Sequence, residues 1–238
     1  VPPRPLTRLQ PRKTPLQARA VATVDAMSEA TIQVLLRDGA DRLTTTRVAE
    51  RCGVSVGTLY QYYPNKDALL ASVLAAHLDR VAAALEAACE RARGRPLAAM
   101  VRTVVEAFVD AKLERADISL ALYHVAPEVG GPALGRRLRQ RSRKALDAML
   151  RTAPDLKAPL DPFAIDLLST TMAAATRHVI EAGATPALTR DLRRHLVLLC
   201  QAYVAAAAGK QLPGRGARQN ARVRKDNDRR VPAAYSSR

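Results

Sequence analysis

The stretch GVSVGTLYQYYPNKDALL, residues 53–70, sets Tyr60, Tyr62 and Tyr63 within four positions of one another, in a chain with six tyrosines, two phenylalanines and no tryptophan. A tyrosine ring packs on a sugar or a thymine methyl, and its hydroxyl donates to a phosphate. Gln61 carries the donor and acceptor that match an adenine edge. Gly57 has no side chain and lets another backbone come close. Asn65 and Lys66 open a following helix, where free N–H groups and the helix dipole favour a phosphate. This chemistry suits nucleic acid. Catalytic chemistry has no comparable footing: no Ser-His-Asp-like local motif, Gly-rich phosphate loop or His-Glu metal helix occurs. His77, His124, His178 and His195 stand away from Cys and Asp partners at metal-ligand spacing, so no metal or cofactor is expected. Cys52, Cys89 and Cys200 lie far apart and read as small buried or half-buried thiols of a reducing cytoplasm.

Two short helices must position these side chains. Apolar residues at Val24, Met27, Val34 and Leu35 predict a first helix that Gly39 ends. Thr44 is the N-cap of the next, with Leu43 and Val48 at the positions of a hydrophobic staple. Gly53 supplies its left-handed end, Ser55 caps a third helix, Pro64 stops it, and Asn65 caps a long fourth one reaching about residue 93. The two short helices around a glycine turn form a helix-turn-helix pattern. Ala49 is small enough for the crossing, and Val54, Leu59 and Tyr63 point into the core. Val56, Gly57, Thr58, Tyr60 and Gln61 are left on a face with nothing to bury, and Tyr62 also points outward.

The segment TTTRVAERCGVSVGTLYQYYPNKDALLASVL, residues 44–74, resembles the DNA-binding signature of TetR-family transcriptional regulators. The motif-level resemblance covers about residues 20–75; beyond it only the architecture is similar. It implies an all-α fold: three helices and the start of a fourth bind DNA, and the remaining bundle encloses a ligand pocket and dimerises through its last two helices. It implies that Thr45 and Thr46 meet DNA, that Val56, Gly57, Thr58, Tyr60 and Gln61 enter the major groove, and that Tyr62 and Lys66 hold phosphates. The sequence departs from the common pattern at Val56, where a polar or basic residue is frequent, and at Tyr63, commonly Phe. Val56 offers no hydrogen bond to a base, so Gln61 carries more of the readout, or a basic arm at Arg8, Arg12 and Lys13 helps from the minor groove.

Further helices are expected over 97–114, 117–126, 132–152, 162–182 and 187–208, with no strand and no repeat. The expected division is a basic arm at 1–15, the DNA-binding unit at 16–75, a ligand-binding and dimerisation domain at 76–208, and a basic disordered tail at 209–238. Leu168, Met172, Leu192, Leu196, Leu199 and Tyr203 on the last two helices are expected to form a homodimer seam. A pocket for an aliphatic or modestly polar effector is expected among Val104, Phe108, Leu122, Met149 and Met172, with Tyr123 or His124 giving polar contacts. The run RRLRQRSRK, residues 136–144, reads as a solvated helix face, with contact to an anionic ligand or to DNA as the alternative.

Net charge is +16, of which residues 1–19 hold +5 and residues 209–238 hold +7; residues 20–75 sum to −1. The charge therefore sits on the ends, where it attracts polyanions without sequence preference. No secretory pattern opens the chain and no apolar run approaches a membrane span, so a cytoplasmic protein without membrane contact is expected. The reading on these grounds is a homodimeric, ligand-responsive repressor of a palindromic operator. A non-specific nucleic-acid-binding or architectural protein driven by basic tails is the alternative, and an enzyme on a helical scaffold finds no acid, base and nucleophile together.

Overall fold

The computed structural model describes residues 10–11 and 18–209, and the regular structure among them is entirely helical. The first unit comprises α1 (Ala18–Asp38), α2 (Thr45–Cys52), α3 (Val56–Tyr62) and the start of α4 (Lys66–Ala92). Each boundary has a local cause. The Thr44 hydroxyl accepts from the Arg47 N–H at 3.2 Å, with Leu43 and Val48 buried beside it. Gly53 ends α2 at φ 73°, a conformation that strains any residue with a Cβ, and hands the chain to α3 through Gly53 N–H to Glu50 O and Val54 N–H to Ala49 O. Ser55 Oγ accepts from Thr58 N–H at 3.0 Å, and Asn65 Oδ1 accepts from Ala68 N–H at 2.8 Å.

The remaining helices are α5 (Leu97–Leu113), α6 (Ala116–Val125), α7 (Gly131–Leu150), α8 (Pro162–Glu181) and α9 (Pro186–Gly209). Pro132 and Pro162 stand in the first turns of α7 and α8, where a missing N–H costs nothing. The start of α5 is capped from afar: Asp155 Oδ1 accepts from Leu97 N–H at 2.8 Å, and Thr152 Oγ1 accepts from Gly94 N–H at 2.9 Å. These bonds pin the α4–α5 turn to the segment after α7.

Two apolar clusters hold the helices. The first joins α1, α2, Leu59 of α3, Tyr63 and the first turns of α4 to Ile118, Leu122 and Val125 of α6. The second joins the rest of α4 to α5, α7, α8 and α9. The first cluster therefore extends beyond residues 16–75, because α6 packs back onto it. The 27 residues of α4 span about 40 Å and run unbroken through both clusters. By length and hydropathy α4 alone among the described helices could cross a membrane, but its apolar residues are largely buried in the two clusters, as in a core helix. The arm and tail expected at 1–15 and 209–238 lie outside the described residues, apart from Gln10, Pro11 and Gly209.

At α8 and α9 most residues expected in a homodimer seam fall inside the chain. Leu168, Met172, Leu192 and Leu196 are buried in the chain's own second cluster, and Tyr203 packs half-buried against it; only Leu199 of the expected seam is exposed. Both helices are apolar on two sides, and the more regular stripe was needed to close the bundle. The outward stripes are Phe163, Leu167, Thr170 and Ala174 on α8, and Leu188, Leu198, Leu199 and Ala202 on α9.

Candidate functional site

Packing sets how α3 faces. Leu59 of α3 and Tyr63, the extended residue that caps the end of α3 with its N–H on Leu59 O, are both sealed in the first cluster, and the Tyr63 hydroxyl meets Ser72 Oγ at 3.2 Å. Tyr60 is thereby turned outward, 40% exposed, with its hydroxyl 3.3 Å from Thr45 Oγ1 on α2. Thr46, Gly57, Gln61 and Lys66 are exposed with it. Thr45, Tyr60 and their neighbours thus share one outer surface built from α2 and α3. A Cβ on Gly57 would meet only Ser55 Oγ at 3.7 Å, so nothing inside the protein demands glycine there. Three residues expected on this surface are partly committed elsewhere. Val56 and Tyr62 lean half-buried on the first cluster, and the Thr58 hydroxyl shares a hydrogen bond with the Ser55 cap at 2.9 Å. Arg47 and Arg37 both reach Asp38, at 3.3 and 2.8 Å, tying α2 to the end of α1; the Arg37 hydrogen bond, helped by the charge of Arg47, holds the Asp38 carboxyl below its ordinary pKa.

A cavity of about 380 Å³ lies between α4, α5, α6, α7 and α8. Its inner wall is apolar: Leu78, Val81 and Leu85 from α4, Phe108 from α5 and Met172 from α8. Ser142 and Ser169 add hydroxyls, and the exposed Arg139, Thr170 and Ala174 stand at the mouth. Phe108, Tyr123 and Met172 are thus where a pocket was expected. Val104 and Met149 are not: they border a gap of only about 30 Å³ inside the second cluster. Leu122, next to Tyr123 on α6, points the other way into the first cluster. His124 is exposed, its Nδ1 3.0 Å from Leu120 O.

The residues that sequence reading missed are charged. Lys112 is only 6% exposed and lines the cavity; its Nζ lies 4.8 Å from the centre of the Tyr123 ring. The Arg177 guanidinium lies at the same distance from that ring. Burial, reinforced by the Arg177 charge, pushes the Lys112 pKa down to about 8. The signal was present, since Lys112 continues the stripe Met100, Val101, Val104, Val105, Phe108, Val109, where a lysine is out of place.

Beside the cavity, Ser119 Oγ lies 3.1 Å from His77 Nε2 and donates to Lys112 O at 3.1 Å. Burial, then the charges of Lys112 and Arg80, depress the His77 pKa to about 4. The folded chain therefore keeps His77 neutral while the unfolded chain protonates it near 6.5, so stability falls as pH drops from about 6.5 towards 4. The loss is on the order of 3 kcal/mol. Melting curves between pH 7 and pH 5 should slope less steeply for His77→Gln than for the parent; equal slopes would assign the acid sensitivity to other groups. Burial also pushes the thiols of Cys89 and Cys200 up, to about 12 and 11, which makes them inert.

Known proteins share both halves of this arrangement. The family described as bacterial regulatory proteins, tetR family, matches residues 28–73, and the tetracyclin repressor-like C-terminal domain matches residues 96–203. The HTH-type transcriptional repressor KstR of Rhodococcus jostii is 42% identical over 53 residues, 22% of this chain and 25% of that protein. KstR of Mycolicibacterium smegmatis is 40% identical over 53 residues, again 22% of this chain and 26% of the relative. The matched segment thus spans only about a quarter of these curated relatives. Among solved structures, a transcriptional regulator of Pseudomonas aeruginosa PAO1 superposes with a TM-score of 0.64 at 24% identity, covering 80% of this chain and 92% of the other. The fatty acid degradation regulator FadR of Bacillus halodurans does so with a TM-score of 0.59 at 19% identity, covering 75% and 94%. At such identities the likeness concerns the fold. The two family matches, falling on the helix-turn-helix unit and on the helical bundle behind it, show that this chain belongs to the TetR family of bacterial regulatory proteins.

Proposed function

We propose that this chain is a cytoplasmic, ligand-responsive repressor that binds a palindromic operator as a homodimer and is released by a small molecule. The observation that carries the proposal is the continuity of α4. Its first turns pack the DNA-binding unit, and three turns on, the same helix lines the cavity with Leu78, Val81 and Leu85. A helix without a break transmits a shift at one end to the other. Binding two half-sites needs the recognition helices about 34–36 Å apart, one turn of DNA. An effector would have to favour a different spacing, since equal affinity for both states shifts nothing. The domain roles follow the same division: α1 to α3 and the start of α4 for DNA, the bundle for effector and partner.

On the DNA, Gln61 pairs with an adenine edge while Thr45, Thr46, Val56, Gly57, Thr58 and Tyr60 pack along the groove, and Tyr62 and Lys66 take phosphates. The repressors among the relatives support the direction of control. Footprinting on the intergenic DNA beside the gene, followed by competition with scrambled duplex at physiological salt, tests the reading. The expected result is a protected palindrome bound at least about a thousandfold more tightly than scrambled DNA. Equal competition by scrambled DNA would instead favour non-specific binding by the basic termini.

A further inference from the structure

We infer that the cavity takes an anionic amphiphile, its carboxylate or phosphate head set against Lys112 and Arg177 and its aliphatic body laid along Val81, Leu85, Phe108 and Met172. The inference rests on the ligand-responsive reading above and names the chemistry of its effector.

Charge at the site is unbalanced. No carboxylate among the described residues pairs with Lys112 or with Arg139 at the mouth. Arg177 has one carboxylate, Glu181, at 2.7 Å. A buried cation without a counter-charge is costly, and the single ring of Tyr123, which both Lys112 and Arg177 approach, offsets only part of that cost. A structural lysine in an apolar bundle reaches out to water along its stem; Lys112 instead stays buried at the cavity wall. An incoming anion supplies the missing charge, and a guanidinium beside it can grip two oxygens at once. A neutral amphiphile leaves Lys112 unpaired, and a cationic one adds repulsion. Leu78, Val81, Leu85, Phe108 and Met172 offer an aliphatic chain apolar contact, with the Ser142 and Ser169 hydroxyls beside them. At about 380 Å³ the space lies in the range of small-molecule sites.

The test is calorimetric titration of the full chain with decanoate, decyl phosphate, decanol and decylamine, all below their micellar concentrations. Decanoate or decyl phosphate should bind at least about tenfold more tightly than decanol, with decylamine weakest; the stronger of the two anionic arms identifies the head group. Lys112→Met should remove most of the preference for the anion, since Arg177 is already paired with Glu181, and Lys112→Arg should keep it. Lys112→Met should fold at least as stably as the parent, because it removes an unpaired buried charge; melting curves check this. Equal binding of decanol and the anions, survival of the preference in Lys112→Met, or no binding by any probe would overturn the inference. Anisotropy of labelled operator DNA, run in parallel, separates this outcome from the fate of the wider reading. An anion that binds without releasing DNA leaves the inference standing and removes effector control. Release by a neutral compound alone does the reverse.

Discussion

Tyr63→Ala should destabilise the DNA-binding unit by about 3–5 kcal/mol, the cost of deleting a fully buried aromatic ring. Tyr60→Ala, three residues earlier and within α3, should cost well under about 1 kcal/mol. The contrast follows from the turn of α3. Tyr63 is 1% exposed among Met27, Leu59 and Leu69, and its hydroxyl is engaged with Ser72. Truncation opens a cavity in the first cluster and leaves the Ser72 hydroxyl without that partner. Tyr60 is 40% exposed, with its hydroxyl 3.3 Å from Thr45 Oγ1 at the surface. On DNA the ranking inverts. Tyr60→Ala should lower operator affinity about tenfold or more, the loss of one contact worth roughly 1–3 kcal/mol. Tyr62→Phe should weaken operator and scrambled DNA alike, because a phosphate contact carries no sequence information. Melting curves and binding titrations on the three variants decide the matter. If Tyr60→Ala destabilised the fold while Tyr63→Ala affected only DNA affinity, the facing of α3 would be wrong by about a third of a turn.

The parts of this molecule that could be read from sequence are those with local causes. Thr44, Ser55 and Asn65 each bond a backbone N–H three residues on, and Gly53 adopts the one backbone region that other residues avoid, so the helix-turn-helix boundaries needed no tertiary information. The facing of α3 was also local, since Leu59 and Tyr63 are the apolar pair at helical spacing. The cavity was not local. Leu122 and Tyr123 are sequence neighbours, yet one seals the first cluster and the other faces the cavity, and only the packing of α6 between two clusters decides which. The basic run at 136–144 divides in the same way. Arg141 reaches across to Asp79 and Glu86 of α4 at 2.7 and 2.8 Å, as a solvated face would, whereas Arg139 stands at the cavity mouth. Lys112 was legible and passed over: a charge on an otherwise apolar stripe marked the cavity better than the aromatic residues did.

The homodimer proposed above should fall to monomers on Leu198→Glu combined with Leu199→Glu, and operator affinity should drop by about a hundredfold or more, as the two half-sites are no longer held together. Of the eight large apolar side chains exposed among the described residues, Phe163, Leu167, Leu188, Leu198 and Leu199 lie on α8 and α9. A concentration of that kind on one pair of helices marks a surface meant to be covered. Leu198 and Leu199 are 62% and 49% exposed, so charges there leave the chain's own core intact; the double variant should melt as a folded monomer. Leu196→Glu separates the two roles. Leu196 is 3% exposed within the second cluster, and a buried unpaired carboxylate should unfold the bundle rather than dissociate it. Sedimentation and melting of the two variants give different signatures: a smaller folded particle for the first, an unfolded or aggregated chain for the second. A double variant that sediments with the mass of the parent dimer would mean that the partner docks on another face. The α8 half of this surface also carries Thr170 and Ala174, which border the cavity mouth. A partner seated there would stand beside the opening through which an effector enters, so the same substitutions should also change the rate at which decanoate binds.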